Sequence, residues 1–472
     1  MKHYFFLIAT LLMVIAACDA LDQVESTSLQ ENESIDGFRI SHSMNPLSQE
    51  EAVMVARQFA SMNEIQTKTN DTKTIGSIYA IDGKPGIPAM FAVNYGENDG
   101  FVIVNTSKKY FPILAYSETG HYAQDRNASG LDVWLDEQRV LIEAAETLPL
   151  DSLKEVTKTW RNYEKNTIPN ITTKSGGDTL SFRNAAIAEW ELEGFDCMDL
   201  ETSSMYLSPT VYSQWCELAA EQSDPNYDYM ESAVVLYYGS QSTSQVGPYL
   251  STTWGQDAPY NELLTPIGSL YPRAGGATVA MAQIMRYYEW PTRYNWSSMS
   301  NSTATYDTKL LYKELGQAAQ TTYGINGSST NINNLKNAIT GNNFDYNASV
   351  VSHSYTTTKS NINAGKPVVM RGNQNTSTHY WACDGRKTYT STIHLILMVY
   401  TPDERYLQAE NGGYYSDSST SEYLHMNWGE DGAANGWFYG DNVAFSGYVW
   451  TSWVQFNYSS DRKDIVNISP DN

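Results

Sequence analysis

Two adjacent glycines that open directly into an apolar helix are the feature that most constrains this chain. They lie in the run 273–285, "RAGGATVAMAQIM". The near-continuous apolar residues predict a helix from Thr278 to Tyr288 that is buried on most sides. Pro291 ends it, because proline cannot continue the backbone hydrogen bonds. A glycine turn of this kind often presents a nucleophile to a cleft, yet the run contains neither cysteine nor serine.

The sequence around this helix predicts an α+β unit. Further helical patterns lie at 310–319 and 332–339. Short apolar or aromatic runs, which predict strands, then follow at 366–372, 379–385, 391–401, 423–429 and 436–440. Helices followed by an antiparallel sheet indicate an α+β architecture.

A second, smaller α+β unit is predicted at 36–150. A helix is expected within 43–64, where Ser48 and Glu51 have the spacing of a capping box. Four alternating runs, which predict an antiparallel sheet, follow at 77–81, 89–95, 100–106 and 111–117. An amphipathic helix at 131–146 closes the unit. Residues 151–244 are interpreted as a linker and connecting segment, with a polar, glycine-containing stretch at 168–178 as a processing region.

The N-terminus predicts export and lipid attachment. The apolar run from Tyr4 is too short to cross a bilayer and indicates a signal peptide at 1–17. It ends in Ile15-Ala-Ala-Cys18, which resembles a bacterial lipoprotein box; plain cleavage beside a chance cysteine is the alternative. The acidic, serine-rich residues 18–35 are interpreted as a flexible tether. We therefore expect a lipid-anchored protein of the bacterial cell envelope, at the cell surface or secreted after processing.

The net charge excludes nucleic acid as a partner, and the spacing of cysteines and histidines does not predict a metal site. The 472 residues include 30 basic and 53 acidic side chains, a formal charge of −23 that repels nucleic acid. Cys197 and Cys216 are either a disulfide or two buried thiols. The sequence contains no Cys-x-x-Cys or His-Glu-x-x-His motif, and its seven histidines lack ligand spacing, so no metal or cofactor is expected.

Four stretches follow one another along the chain in the order "TWGQDAPYN", the glycine-helix run, "NTSTHYWACDG" and "LHMNWGEDGAANGWF". Together they resemble the streptopain-like cysteine peptidases, in which glutamine, cysteine, histidine and asparagine occur in this order. The resemblance implies a papain-like peptidase fold over 245–465. Residues 36–150, with "GFVIVNTSKKYFPILAYSETG", are similar to the inhibitory prodomain of that family, which would be a partner for the rest of the chain.

The resemblance assigns a role to five positions. Gly276 stands where the nucleophilic cysteine is expected, His379 would be the general base and acid, and Asn427 would accept its ring N–H. Trp428 would shield that hydrogen bond, and Gln256 would stabilise an oxyanion. Taken singly, each residue also has a structural interpretation, such as a packed histidine, a turn with a core tryptophan or a close-packed glycine turn.

No other cysteine is placed to replace the missing thiol. Cys383 lies four residues beyond His379 on one predicted strand, roughly 13 Å away. Two further departures from the family pattern are Glu430-Asp431 after the Asn-Trp-Gly stretch and Thr378 before the histidine. These carboxyl groups are expected to oppose an acidic substrate or to raise the pKa of His379.

Three functional hypotheses follow. The first is a catalytically inactive homologue that retains a cleft for a peptide or protein ligand, because a glycine offers no electron pair to a peptide carbonyl. The second is an active zymogen-type cysteine peptidase. The third is a lipoprotein whose prodomain inhibits related peptidases.

Overall fold

A computed structural model describes most of the chain from residue 44 onwards. The described ranges are 44–62, 73–81, 83–124, 129–149, 153–164, 181–341, 344–374, 377–440 and 461–471. The predicted signal peptide, Cys18, the tether and the processing region at 168–178 lie outside these ranges.

The N-terminal unit has the predicted elements. They are α1 (Gln49–Met62), β1 (Ile75–Ile81), β2 (Met90–Tyr95), β3 (Phe101–Asn105), β4 (Ile113–Ser117) and α2 (Gly130–Glu146). Ser48 and Glu51 form the predicted reciprocal cap, with backbone-to-side-chain distances of 2.9 and 3.2 Å. The four strands form an antiparallel meander.

Residues 153–246 contain more regular structure than their sequence predicts. Their elements are α3 (Lys154–Trp160), α4 (Ser181–Leu192), β5 (Asp196–Asp199), α5 (Pro209–Gln222), α6 (Tyr229–Ser232) and β6 (Val234–Val246). The second half of β6 is a run of serine, threonine and glutamine without apolar alternation. It is a strand because it pairs over its whole length with the strand that carries His379.

The C-terminal unit supplies the remaining elements. Its helices are α7 (Gly276–Tyr288), α8 (Tyr306–Ala318), α9 (Ile332–Ile339) and α10 (Tyr355–Asn363). Its strands are β7 (Tyr346–Ser352), β8 (Val368–Gln374), β9 (Ser377–Thr401), β10 (Arg405–Gln408), β11 (Tyr414–Asn427), β12 (Gly436–Tyr439) and β13 (Lys463–Pro470). The runs 379–385 and 391–401, predicted as separate strands, belong to one strand, β9.

One antiparallel sheet passes through both units. Its order is β1-β2-β3-β4-β12-β11-β9-β8-β13-β7, with β6 and β10 also paired to β9. The two units join where Tyr116 of β4 pairs with Trp437 of β12. A single hydrophobic cluster includes Phe59 from the first unit and Phe438 from the second. The predicted α+β class is confirmed.

Among the described residues, no helix has the length and apolar character needed to cross a membrane. Cys197, Cys216 and Cys383 are free thiols. Cys197 and Cys216 are therefore two separate thiols and do not form a disulfide.

Candidate active site

Gly276 is the first residue of α7, as the family pattern requires of the nucleophile. Its neighbour Gly275 has φ 89°, a left-handed conformation that favours glycine. A Cβ atom built on Gly276 would lie 2.9 Å from the carbonyl oxygen of Tyr380. Real Cβ atoms essentially never come this close to a backbone atom. The backbone of β9 therefore occupies space that a cysteine side chain at this position would need.

His379 lies on β9, opposite Gly372 of β8. Burial lowers the pKa of its imidazole, and the nearby guanidinium of Arg273 lowers it further, while Asp132 of α2 opposes the shift. Its Nε2 atom is buried and has no hydrogen-bond partner among the described residues. The expectation that Glu430 and Asp431 raise this pKa was wrong, because desolvation and Arg273 outweigh the only raising contribution, that of Asp132.

The side chain of Asn427 has partners other than His379. In the sheet it pairs with Ala382, which lies three residues beyond the histidine, ~10 Å along β9. Its Nδ2 donates to the Thr252 carbonyl at 2.7 Å, and its carboxamide lies 3.1 Å from the Gln283 side chain. The structure therefore does not form the expected hydrogen bond between Asn427 and the imidazole.

Gln283 is a site residue that the sequence analysis missed. It is fully buried on α7, among alanine, methionine and isoleucine. Its Oε1 accepts hydrogen bonds from the Thr252 hydroxyl at 2.9 Å and the Trp254 backbone at 3.2 Å. A lone amide within an apolar helix was the available signal, since a buried polar group needs a partner.

The amide of Gln256 is occupied by a carboxylate of the same chain. Its Nε2 donates to Oε1 of Glu430 at 2.5 Å. The other carboxylate oxygen of Glu430 lies 2.8 Å from Arg273, which also pairs with Asp257 at 3.1 Å. Burial raises the pKa of Glu430 to about 7 despite the opposing Arg273 and Gln256. Gln256, which is expected to stabilise an oxyanion, thus already donates its amide hydrogen to Glu430.

The N-terminal end of α2 covers the tryptophans beside the histidine. A Cβ atom on Gly130 would lie 2.3 Å from the ring of Trp381 and 2.9 Å from that of Trp428. The two rings are 5.5 Å apart, and both are buried. Glycine is thus required for this close approach of the helix. Trp428 donates through Nε1 to the Ala434 carbonyl at 2.9 Å.

Two of the three free cysteines, Cys383 and Cys197, are buried and poorly suited to act as the nucleophile. Cys383 is fully buried on β9, and burial raises the pKa of its thiol well above the usual value. Cys197 is also buried, and its thiol pKa is raised to about 12. A thiol with a raised pKa has little reactive thiolate at neutral pH. Within the described ranges, no cluster of three or more histidine, cysteine or acidic residues could hold a metal ion.

Family models match both units of the chain. Residues 254–305 and 292–438 match the peptidase C10 family, and residues 44–141 match the Spi protease inhibitor. Residues 254–438 belong to the peptidase C10, or streptopain, family. Gly276, His379 and Asn427 all lie within the peptidase match, and α1 to the end of β4 lies within the inhibitor match. The predicted boundaries at 36–150 and 245–465 remain predictions.

Individual relatives share limited sequence with this C10 family member. It is 21% identical to the thiol protease/hemagglutinin PrtT of Porphyromonas gingivalis, over 90% of this chain and 42% of that protein. The chain thus spans less than half the length of that relative. A prointerpain A fragment from Prevotella intermedia is 14% identical, with a TM-score of 0.43 over 83% of this chain and 98% of that one. Active interpain A is 17% identical, with a TM-score of 0.33 over 47% and 94%.

Proposed function

We propose that this C10 family member does not hydrolyse peptides. The observation that carries the proposal is Gly276, which has no side-chain electron pair with which to attack a peptide carbonyl. The Tyr380 carbonyl, 2.9 Å from the position of a Cβ atom, supports it independently. Residue 276 thus offers no nucleophile, and a side chain added there would require β9 or α7 to shift.

The remaining site residues support the same proposal. A histidine acts as general base through a hydrogen bond to the nucleophile and a second one that orients its ring. Asn427 instead contacts Gln283 and Thr252. Gln256 donates to Glu430 rather than facing an empty oxyanion position. Two groups that act with the histidine in a cysteine peptidase therefore have other partners here.

The proposed role is that of a binding protein. The cleft of a peptidase that cannot cleave would still hold a peptide or protein ligand, and the buried tryptophans 381 and 428 offer apolar surface for it. In the full chain α2 lies on this surface, so a ligand must displace the helix.

We further propose a lipid-anchored location in the bacterial cell envelope, on the basis of Ile15-Ala-Ala-Cys18.

Labelling with a thiol-directed epoxide tests the loss of the nucleophile. We expect no rapid modification of the wild-type chain under conditions that label an active C10 peptidase. Peptide mapping would locate any slow modification, which we expect at the half-buried Cys216 and to disappear in Cys216→Ser. Rapid, stoichiometric labelling of Cys197 or Cys383 would contradict the proposal and favour an unforeseen nucleophile.

A further inference from the structure

Besides the pairing of β4 with β12, the inhibitor unit contacts the rest of the chain at two further places. The first is the site itself, where α2 lies on Trp381 and Trp428. The second is the hairpin extension, which we define as residues 386–424 of β9, β10 and β11 beyond the site. This extension pairs with β6 along one side, so it is built into the sheet.

An ion cluster forms the charged part of this second interface. Asp417 of the hairpin extension lies 3.1 Å from Lys158 and 3.5 Å from Arg161. Arg161 is buried, its guanidinium lies 5.0 Å from the centre of the Tyr206 ring, and it donates to the Met205 carbonyl at 3.3 Å. A buried guanidinium is costly without its carboxylate, so Asp417 is important for this contact.

Aromatic side chains form the apolar part of the interface. The Tyr389 hydroxyl donates to that of Tyr116 at 2.9 Å, and its ring lies edge-on to Phe59 at 6.2 Å. Tyr423 donates to the Ile113 carbonyl at 2.9 Å. Lys387 of the extension pairs with Glu118 at 3.2 Å. The contacts thus extend from α1 to the residue after β4, away from Gly276 and His379.

We propose that the hairpin extension keeps the inhibitor unit bound after the chain is cut between residues 164 and 181. All of the contacts of this second interface join residues 59–161 to residues 205–423 and do not depend on that connection. Cleavage alone therefore does not uncover Trp428. This inference goes beyond the proposed loss of peptidase activity, and it holds whether or not the chain hydrolyses peptides.

The test uses the full chain with a site-specific protease sequence inserted between Gly176 and Gly177, within the predicted linker. After complete cutting, gel filtration at about 1 μM is expected to show one species that contains both fragments. Asp417→Asn is expected to raise the dissociation constant of the fragments by at least about tenfold, as loss of a charged hydrogen-bond partner does. High salt should weaken the association, since ion pairs contribute to it.

Two further variants make the outcome decisive. Asp403→Asn, at the exposed pair with Arg405 on the same sheet, should bind like the unmodified fragments. If Asp417→Asn fails to fold, Lys158→Ala removes a partner from the other fragment. Fragments that separate at about 1 μM would overturn the proposal. Fragments that stay together equally well in Asp417→Asn, Lys158→Ala and Asp403→Asn would show that contacts outside the hairpin extension, such as the β4–β12 pairing or the site contacts, hold them, which also overturns it.

Discussion

The carbonyl oxygen of Tyr380 lies 2.9 Å from the point where a Cβ atom on Gly276 would be. This distance relates β9 to the start of α7, the two elements that a cysteine peptidase uses to bring imidazole and thiol together. A cysteine side chain at residue 276 would therefore require one of these two elements to shift.

Restoring the thiol is not expected to restore peptidase activity. In Gly276→Cys the new side chain must push β9 away, and Gln256 and Asn427 keep their present partners. We expect casein hydrolysis indistinguishable from that of the wild type. Gly276→Ala should lower the free energy of unfolding by about 1–3 kcal/mol through overpacking, measured in urea. Gly327→Ala is the control, because a Cβ atom there meets no neighbour within 4 Å. Casein hydrolysis by Gly276→Cys well above the wild-type rate would show that the cleft is intact.

Glu430 should make stability depend on pH. Its pKa is raised to about 7 by burial, so the folded state binds its proton more tightly than the unfolded chain does. The contribution of Glu430 to the free energy of unfolding is fully present below pH 4.5 and is lost as the pH rises through 7. Relative to Glu430→Gln, the unfolding free energy of the wild type should fall between pH 5 and 8 by on the order of 2–3 kcal/mol. Parallel curves for the two proteins in urea titrations would refute this assignment.

Docking of α2 should be sensitive to the size of residue 130. In Gly130→Ala the added methyl meets the rings of Trp381 and Trp428, which cannot move aside easily in a packed core. We expect faster cutting of α2 by trypsin and a shift in tryptophan fluorescence, since the indoles become more exposed. Gly327→Ala again provides the control. A proteolysis rate equal to that of the wild type would mean that α2 does not lie on these rings.

Lipid attachment is expected at Cys18. Fractionation of bacteria that produce Cys18→Ser should find the protein in the soluble fraction, because the acyl chains that hold the mature chain are missing. The wild type should sediment with membranes and leave them only with detergent. Equal membrane association of both proteins would exclude the lipid anchor.

Local patterns predicted much of the fold. The cap of Ser48 and Glu51, the four strands of the first unit and the bounds of α9 follow from short-range periodicity and capping chemistry. The pattern did not predict β6 or the 25-residue length of β9, because their polar halves become strands only through pairing with each other. Strand pairing across more than a hundred residues leaves no signal in a local window.

The sequence predicts which residues form the candidate site but not how they are arranged. Sequence order located Gly276, His379, Asn427 and Gln256. The partners of Asn427 and Gln256 depend on the register of β11 against β9 and on the place of Glu430 after that strand. These partners are set by the tertiary structure. A family sequence pattern identifies the residues but does not give the distances between them.

Peptide hydrolysis by the wild-type chain tests the central claim most directly. The full chain, and an Asp417→Asn chain cut between Gly176 and Gly177 and diluted until its two fragments separate, should be incubated with casein beside their His379→Ala counterparts. We predict that wild type and His379→Ala release peptides at the same background rate, before and after cutting, and that a thiol-directed epoxide changes neither. Hydrolysis that the epoxide abolishes and that is missing from His379→Ala would contradict the account.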